Sequence, residues 1–314
     1  MFSNFQNRFS AFGLLKLFIF WSAVGVFAPS HAETNDEVIR QWVRDLRRQA
    51  KAAGICEDYV SNAPHYGETT VFETDQAAAK MTLKPEAGSI EDKFPGTVSR
   101  LVQVHNSWFA QIPSRSLWTK ELAASLAEER IAAVEEICRS IPDKRLCDLK
   151  EQFSAHLREW LEITRRQPYR ADLHEETIFS RSTLWELIMA CLFAGEEIHM
   201  NQRPSALYPE AFANMSSPRE RSKFDREIDI AIRKADGSWR WIEVKAWTSQ
   251  MNADPGYADK TIAQSKAHAD LREKINVKAE IILLAKHGFS GTLFLYYRLH
   301  SKFDQILFAF PAGN

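Results

Sequence analysis

Four charged residues on two short alternating segments carry the chemistry open to this chain. The segments are Phe224-Asp225-Arg226-Glu227-Ile228-Asp229-Ile230-Ala231-Ile232 and Trp239-Arg240-Trp241-Ile242-Glu243-Val244-Lys245-Ala246-Trp247. In a strand, side chains alternate between faces. Ile228, Ile230 and Ile232 then share one face, with Glu227, Asp229 and Ala231 on the other. On the second segment Ile242, Val244 and Ala246 form the apolar set, and Trp241, Glu243, Lys245 and Trp247 point away from it. Ala235-Asp236-Gly237 suits a three-residue hairpin loop, a type I turn closed by a left-handed glycine. That loop sets Lys234 against Ser238, Asp229 against Glu243 and Glu227 against Lys245. A two-residue Asp-Gly loop would shift the register by one and pair an apolar face with a charged one.

Two carboxylates directly opposed on a sheet repel unless a cation lies between them. A hard divalent ion resolves the conflict, and magnesium takes oxygen ligands, keeps several waters and binds phosphate oxygens too. Lys245 projects from the same face as Glu243, beside the place a phosphate would take. Its ammonium could orient or deprotonate an attacking water, or neutralise developing charge. These are the parts that hydrolysis of a phosphodiester needs. The competing reading of Asp229, Glu243 and Lys245 is an exposed amphipathic hairpin with a cross-strand salt bridge. Glu227 could ligate the ion, or pair with Lys245 and tune it.

Glu227-Ile228-Asp229, a glycine turn and Ile242-Glu243-Val244-Lys245 together resemble the core signature of the PD-(D/E)xK, or restriction-endonuclease-like, superfamily. The resemblance covers about residues 175 to 285. It implies a mixed sheet flanked by helices. It also implies Mg2+ (or Mn2+) held by Asp229 and Glu243 with the Val244 carbonyl as a further ligand, and a catalytic role for Lys245. A glutamate on the preceding helix often joins such sites, and Glu186 in Thr183-Leu184-Trp185-Glu186-Leu187 is the match. A glutamine on the following helix often does so as well, and Gln264 fits.

The elements that must position these residues are legible from pattern. Glu175 to Gly195 reads as a helix with a long apolar face, and Asp259 to Ile275 as another. On the latter, Lys260, Gln264 and His268 share a face at four-residue spacing and could contact a substrate backbone; a solvated helix face is the alternative. Trp239, Trp241 and Trp247 could stack on bases, although packing under a covering helix is the expectation. His199 to Arg221 reads as polar and irregular, and Glu280 to Ala285, Thr292 to Leu299 and Gln305 to Phe310 as β-rich runs.

Upstream, Asn35 to Ala53, Thr97 to Phe109, Trp118 to Ser140 and Lys144 to Arg166 read as helices, with Pro168 marking a boundary. Trp42-Val43-Arg44-Asp45-Leu46, Ala52-Ala53-Gly54-Ile55 and Val71-Phe72-Glu73-Thr74-Asp75 bear a faint similarity to periplasmic lytic transglycosylases of the membrane-bound B type. The catalytic segment of that family has no counterpart, so its activity does not carry over. The expected class is α/β: a helical N-terminal region at 33–168, then a nuclease-like domain at 169–314.

Residues 1–32 read as an export signal. Arg8 and Lys16 precede the apolar run Leu17 to Ala28, and Ser30 and Ala32 supply small residues for cleavage. The run is too short to span a bilayer comfortably, and no second segment could. Of 40 basic residues in the 314, loss of Arg8 and Lys16 leaves 38 against 41 acidic, a formal charge of −3. Overall charge thus lends no support to nucleic-acid binding, and any attraction must be local. The expectation is a bacterial protein of the periplasm or cell exterior that cuts nucleic acid, DNA before RNA. The alternatives are a catalytically inactive envelope binding protein with the same fold, or a peptidoglycan-related protein.

Four cysteines in an exported chain suit disulfides. Cys138 and Cys147 flank a helix–turn–helix bend and could pair, leaving Cys56 and Cys191. Cys191 reads equally as a buried free thiol in its apolar helix.

Overall fold

The computed structural model describes residues 35–54, 83–110, 120–166, 173–245, 255–286 and 291–309. The proposed export signal, Cys56 and Trp247 lie outside them. So do residues 55–76 of the segment similar to lytic transglycosylases.

The chain enters as α1 (Asn35–Ala52), then α2 (Ile90–Lys93), α3 (Thr97–Ala110), α4 (Lys120–Arg139), α5 (Lys144–Arg166) and α6 (Leu173–Ala190). Side chains close the helix ends. The Ser89 hydroxyl accepts from Asp92 N at the start of α2. Both oxygens of Glu91 accept from Gly96 N and Val98 N at the start of α3, at 2.8 and 2.7 Å. Asp143 accepts from Arg145 N and Leu146 N at the start of α5. Each satisfies backbone donors that have no partner within the helix.

The sheet follows: β1 (Glu197–Gln202), short helices α7 (Pro204–Leu207), α8 (Pro209–Ala213) and α9 (Pro218–Phe224), β2 (Ile228–Arg233), β3 (Trp239–Lys245), α10 (Pro255–Lys274), β4 (Ala279–Ala285), α11 (Gly291–His300) and β5 (Gln305–Phe308). The strands lie in the order β1-β2-β3-β4-β5. β1, β2 and β3 run antiparallel, and β4 and β5 add in parallel to β3. The class is therefore α/β with a mixed sheet.

The hairpin register is the one the turn implies. Ile230 pairs with Ile242, Ala231 with Trp241, Ile232 with Arg240 and Arg233 with Trp239. Lys234 N donates to Ser238 O and Gly237 N to Lys234 O, with Gly237 at φ +77°. That left-handed φ is what the loop asks of its glycine.

Two expected elements are corrected. The stretch from His199 is not irregular throughout. Residues 197–202 form edge strand β1, which buries Ile198 and Met200 on alternate positions. Gln152 of α5 accepts from Met200 N at 2.7 Å and so occupies part of the strand's open edge. Each of the three short helices that follow has proline in its first turn, where its missing N–H costs nothing. The run Thr292 to Leu299 is not a strand but lies in helix α11. β4 and β5 are parallel neighbours, and such strands need a crossover, which a helix supplies.

Helices cover both faces. Leu184, Leu187, Ile188 and Phe193 pack with Ile230, Ile232, Ile242, Val244, Ile282 and Leu284 on one side. Val98, Leu101, Ile131, Leu149 and Phe153 belong to this same core. The helical segment before residue 168 and the sheet after it thus share one apolar interior. On the other face Ala231, Trp241, Ile281, Leu283 and Ala285 pack with Ile262, Leu271 and Tyr297. α1 rests on α11 through Leu46 and Ala50 against Tyr296 and Leu299. No described helix is long and apolar enough to cross a membrane.

Cys138, Cys147 and Cys191 are free thiols. Cys138 is buried and Cys147 exposed, so the expected bridge is not formed: one side chain faces the core and the other solvent. Cys191 is the buried thiol of its second reading.

Gly195 marks a close approach after α6. A Cβ there would lie 2.4 Å from Ile232 Cγ2 and 3.0 Å from Arg233 O. Ile232 is buried and stiff at its branch, so it cannot step aside freely. Gly195→Ala is expected to cost about 1–3 kcal/mol of stability, read from the urea midpoint. An unchanged midpoint would contradict this packing.

Candidate active site

The β2–β3 ladder ends one pair short of the acids. Ile230 and Ile242 are paired, and Asp229 and Glu243 occupy the next positions. There the Asp229 carboxylate takes a backbone donor instead: Oδ2 accepts from Val244 N at 2.7 Å. Glu243 is buried, at 4% exposure, and both its oxygens are engaged. Lys245 Nζ donates to Oε1, and Gln264 Nε2 to Oε2. Asp229, Lys245 and Gln264 are each partly exposed, so α10 covers the face without closing it.

α10 holds the strand entry as well. Gln264 Nε2 also donates to Glu227 O at 3.0 Å, and His268 Nε2 lies 3.2 Å from Arg226 O. These contacts fasten the backbone leading to Asp229. His268 is buried edge-on to Trp241, whereas Lys260 is exposed. The three residues expected on one helix face therefore do different things, and His268 packs within the protein. Trp241 is buried against Tyr208 and His268, and Trp239 sits against Tyr208 and His199. Packing, the expected reading for the tryptophans, describes both.

Glu186 reaches the cluster from α6, buried at 6% exposure, and its Oε2 has no hydrogen-bond partner. Burial pushes its pKa up to about 8; the Asn201 amide pulls it down, Glu227 and Glu243 raise it, and Lys245 lowers it. Burial likewise raises Asp229 well above the ordinary carboxyl range, reinforced by the charges of Glu243 and Glu186 and opposed by Lys245 and the Val244 N–H. Burial raises Glu227 too, with Arg203 opposing. For Lys245 burial works downward, but Glu243 and Asp229 outweigh it and hold the ammonium above its usual range.

Acids raised in the folded state make a stability signature. Each contributes fully below its unfolded pKa, near 4.5 for Glu186, and that contribution is lost as pH climbs through the folded value, about 8. His268 is lowered by burial, so its cost falls below the ordinary 6.5. With chelator present, stability is expected to fall between pH 6.5 and 8, as followed by thermal unfolding. A flat or rising profile there would contradict the buried, mutually repelling acids.

Two residues at the site escaped the sequence reading. Asn201 lies on β1, and Lys286, just past β4, is buried with Nζ 4.8 Å from the Trp185 ring. Lys286 N donates to Lys245 O, which brings a second lysine to the same end of the sheet. A lysine directly after the apolar run Ile281 to Ala285 was the available signal for Lys286.

Among the described residues no three His, Cys, Asp or Glu side chains are gathered as a ready metal site. The donors nonetheless fit a hard cation: hard oxygen ligands only, an unpartnered buried carboxylate oxygen, and Asp229 and Glu243 side by side. Such an ion would need water as well, and Lys245 or Gln264 would have to loosen its hold on Glu243.

An α/β fold with a mixed sheet and a buried acid–lysine cluster at the end of its central hairpin is the class defined by these observations. No family model, curated protein or solved structure matches the chain.

Proposed function

We propose that the protein is a divalent-metal-dependent nuclease of the bacterial envelope, acting on phosphodiester bonds of nucleic acid, with DNA preferred to RNA. The reading is supported by one observation above others. Asp229, Glu243, Lys245 and Gln264 meet at one point, with Glu186 close enough to act on their charges. It draws on the resemblance of Glu227-Ile228-Asp229 and Glu243-Val244-Lys245 to the PD-(D/E)xK signature.

In this reading Asp229 and Glu243 hold Mg2+ or Mn2+, with Glu186 and the Val244 carbonyl as further candidates. The bound ion would supply Lewis-acid polarisation of the phosphate and a lowered pKa for water. Lys245 stays protonated between its two acids, so it serves as a fixed positive charge beside the phosphate rather than as a base. Gln264 keeps Glu243 and the Glu227 carbonyl in place. Lys260, exposed on α10, is a candidate contact for the substrate backbone.

One observation favours a second reading, an inactive envelope binding protein of the same fold. Glu243 already has a partner on each oxygen, a self-contained arrangement that needs no ion. Digestion separates the two. Plasmid DNA and RNA are incubated with Mg2+ or Mn2+ and wild type, Lys245→Ala or Asp229→Ala. The nuclease reading expects cleavage by wild type that stops with EDTA and in both variants. Equal results in all three proteins would remove it.

A further inference from the structure

The β1–β2 ladder omits one position. Met200 pairs with Ile230 and Gln202 with Ile228, but Asn201, which the same register sets against Asp229, forms no ladder pair. Its backbone stands at φ +52°, in the left-handed region. Asparagine tolerates that region better than most residues, but it remains a conformation the surroundings must impose. The side chain is half-buried, and Nδ2 is buried without a hydrogen-bond partner. The polar group it faces is the Glu186 carboxyl, in a contact that falls short of a full hydrogen bond. Glu186 Oε2 is the second buried atom here without a partner. Buried polar atoms in folded proteins are normally satisfied, so two adjoining exceptions call for an explanation.

A structural explanation would be that the chain needs only a left-handed residue here, to bend β1 away from β2. Glycine would then do as well. It would not account for an amide set against the one acid of the cluster that comes from outside the hairpin. We infer that Asn201 is a positioning residue of the acidic site: its amide turns the Glu186 carboxylate toward Asp229 and Glu243, ready for a divalent cation. This rests on the metal-dependent reading above. It adds a residue on β1 to the acids and their hydrogen-bond partners from α6, β2, β3 and α10. Polar groups that orient a metal's ligands commonly govern its affinity.

The variants separate backbone from amide. Asn201→Gly keeps the left-handed conformation available and removes the amide. Asn201→Asp keeps the side chain's shape and exchanges the N–H donor for an oxygen. Binding of Tb3+ alone is read from its luminescence, sensitised by Trp185 beside Glu186 or by Trp241 near Glu243, with thermal unfolding in chelator run alongside. Expected are an unfolding temperature for Asn201→Gly at or above that of wild type, and Tb3+ binding weakened about 10-fold or more in both variants. In a Glu186→Gln background Asn201→Gly should add little further loss, because the amide acts through that carboxylate. Wild-type binding by Asn201→Gly, with Asp229→Ala silent, overturns the inference alone. A full further loss in the Glu186→Gln background also overturns it. If wild type binds no Tb3+, the metal reading and the inference fall together. Should Asn201→Gly fail to fold, Asn201→Asp decides by the same affinity measurement.

Discussion

Lys245→Ala should lower metal-dependent cleavage by about 10²–10³-fold, the range found when one preorganised charge or donor is removed from a developing anion. The effect is expected mainly in kcat. Lys245 is 20% exposed at its side chain and tied to Glu243, so it is held in place before any substrate arrives. Burial pulls its pKa down, and the flanking charges of Glu243 and Asp229 outweigh that pull. Lys245→Met keeps the apolar stem and removes only the charge, and should lose as much activity as alanine. If methionine retained activity that alanine lost, the side chain would matter for packing. Loss in both, with unfolding temperatures near wild type, would mark the charge itself.

Asp229→Asn should separate stability from function. The amide oxygen can still accept the Val244 N–H, so the local backbone keeps its partner. What disappears is a partly buried negative charge close to Glu243 and Glu186. At pH 8.5 in chelator the variant should therefore unfold at a higher temperature than wild type, by about 2 °C or more if the relief reaches about 1 kcal/mol. At acidic pH, where Asp229 is protonated, the difference should vanish. Added Mn2+ should stabilise wild type, because a ligand that binds only the folded state shifts unfolding by mass action, and should leave the variant unmoved. A functional site commonly keeps such a penalty. If Asp229→Asn were less stable at pH 8.5, the carboxylate would be a structural acceptor and the repulsion argument would fail.

The hairpin was legible in the sequence because two independent signals agreed. Asp236-Gly237 asked for one loop, and the alternation of Ile230 and Ile232 against Ile242 and Val244 admitted one register; Ile228, expected on the same face, packs instead with Ala231 and Trp241 on the other. β1 was harder. Glu197, His199 and Asn201 make an edge strand polar on one side, and a polar edge looks like loop when its partner is unknown. α11 failed for the opposite reason. Thr292-Leu293-Phe294-Leu295-Tyr296-Tyr297 suits either element, and only the parallel pairing of β4 and β5 decides for helix. At the site, spacing put Gln264 and His268 on one face but could not tell a substrate contact from a tie to Arg226 O and Glu227 O. Asn201 and Lys286 come from strand ends separated in sequence from the hairpin, and tertiary pairing alone brings them in. Cys138 and Cys147 had suitable spacing for a bridge, but spacing does not say which way a side chain turns.

Manganese soaked into crystals and located by its anomalous scattering tests the central claim most directly. The account predicts a single peak between the Asp229 and Glu243 carboxylates, about 2.0–2.3 Å from an oxygen of each. It also predicts that Lys245 Nζ or Gln264 Nε2 will have released Glu243. A saturating soak that leaves Lys245 and Gln264 on Glu243, with no anomalous peak beside Asp229, would contradict it.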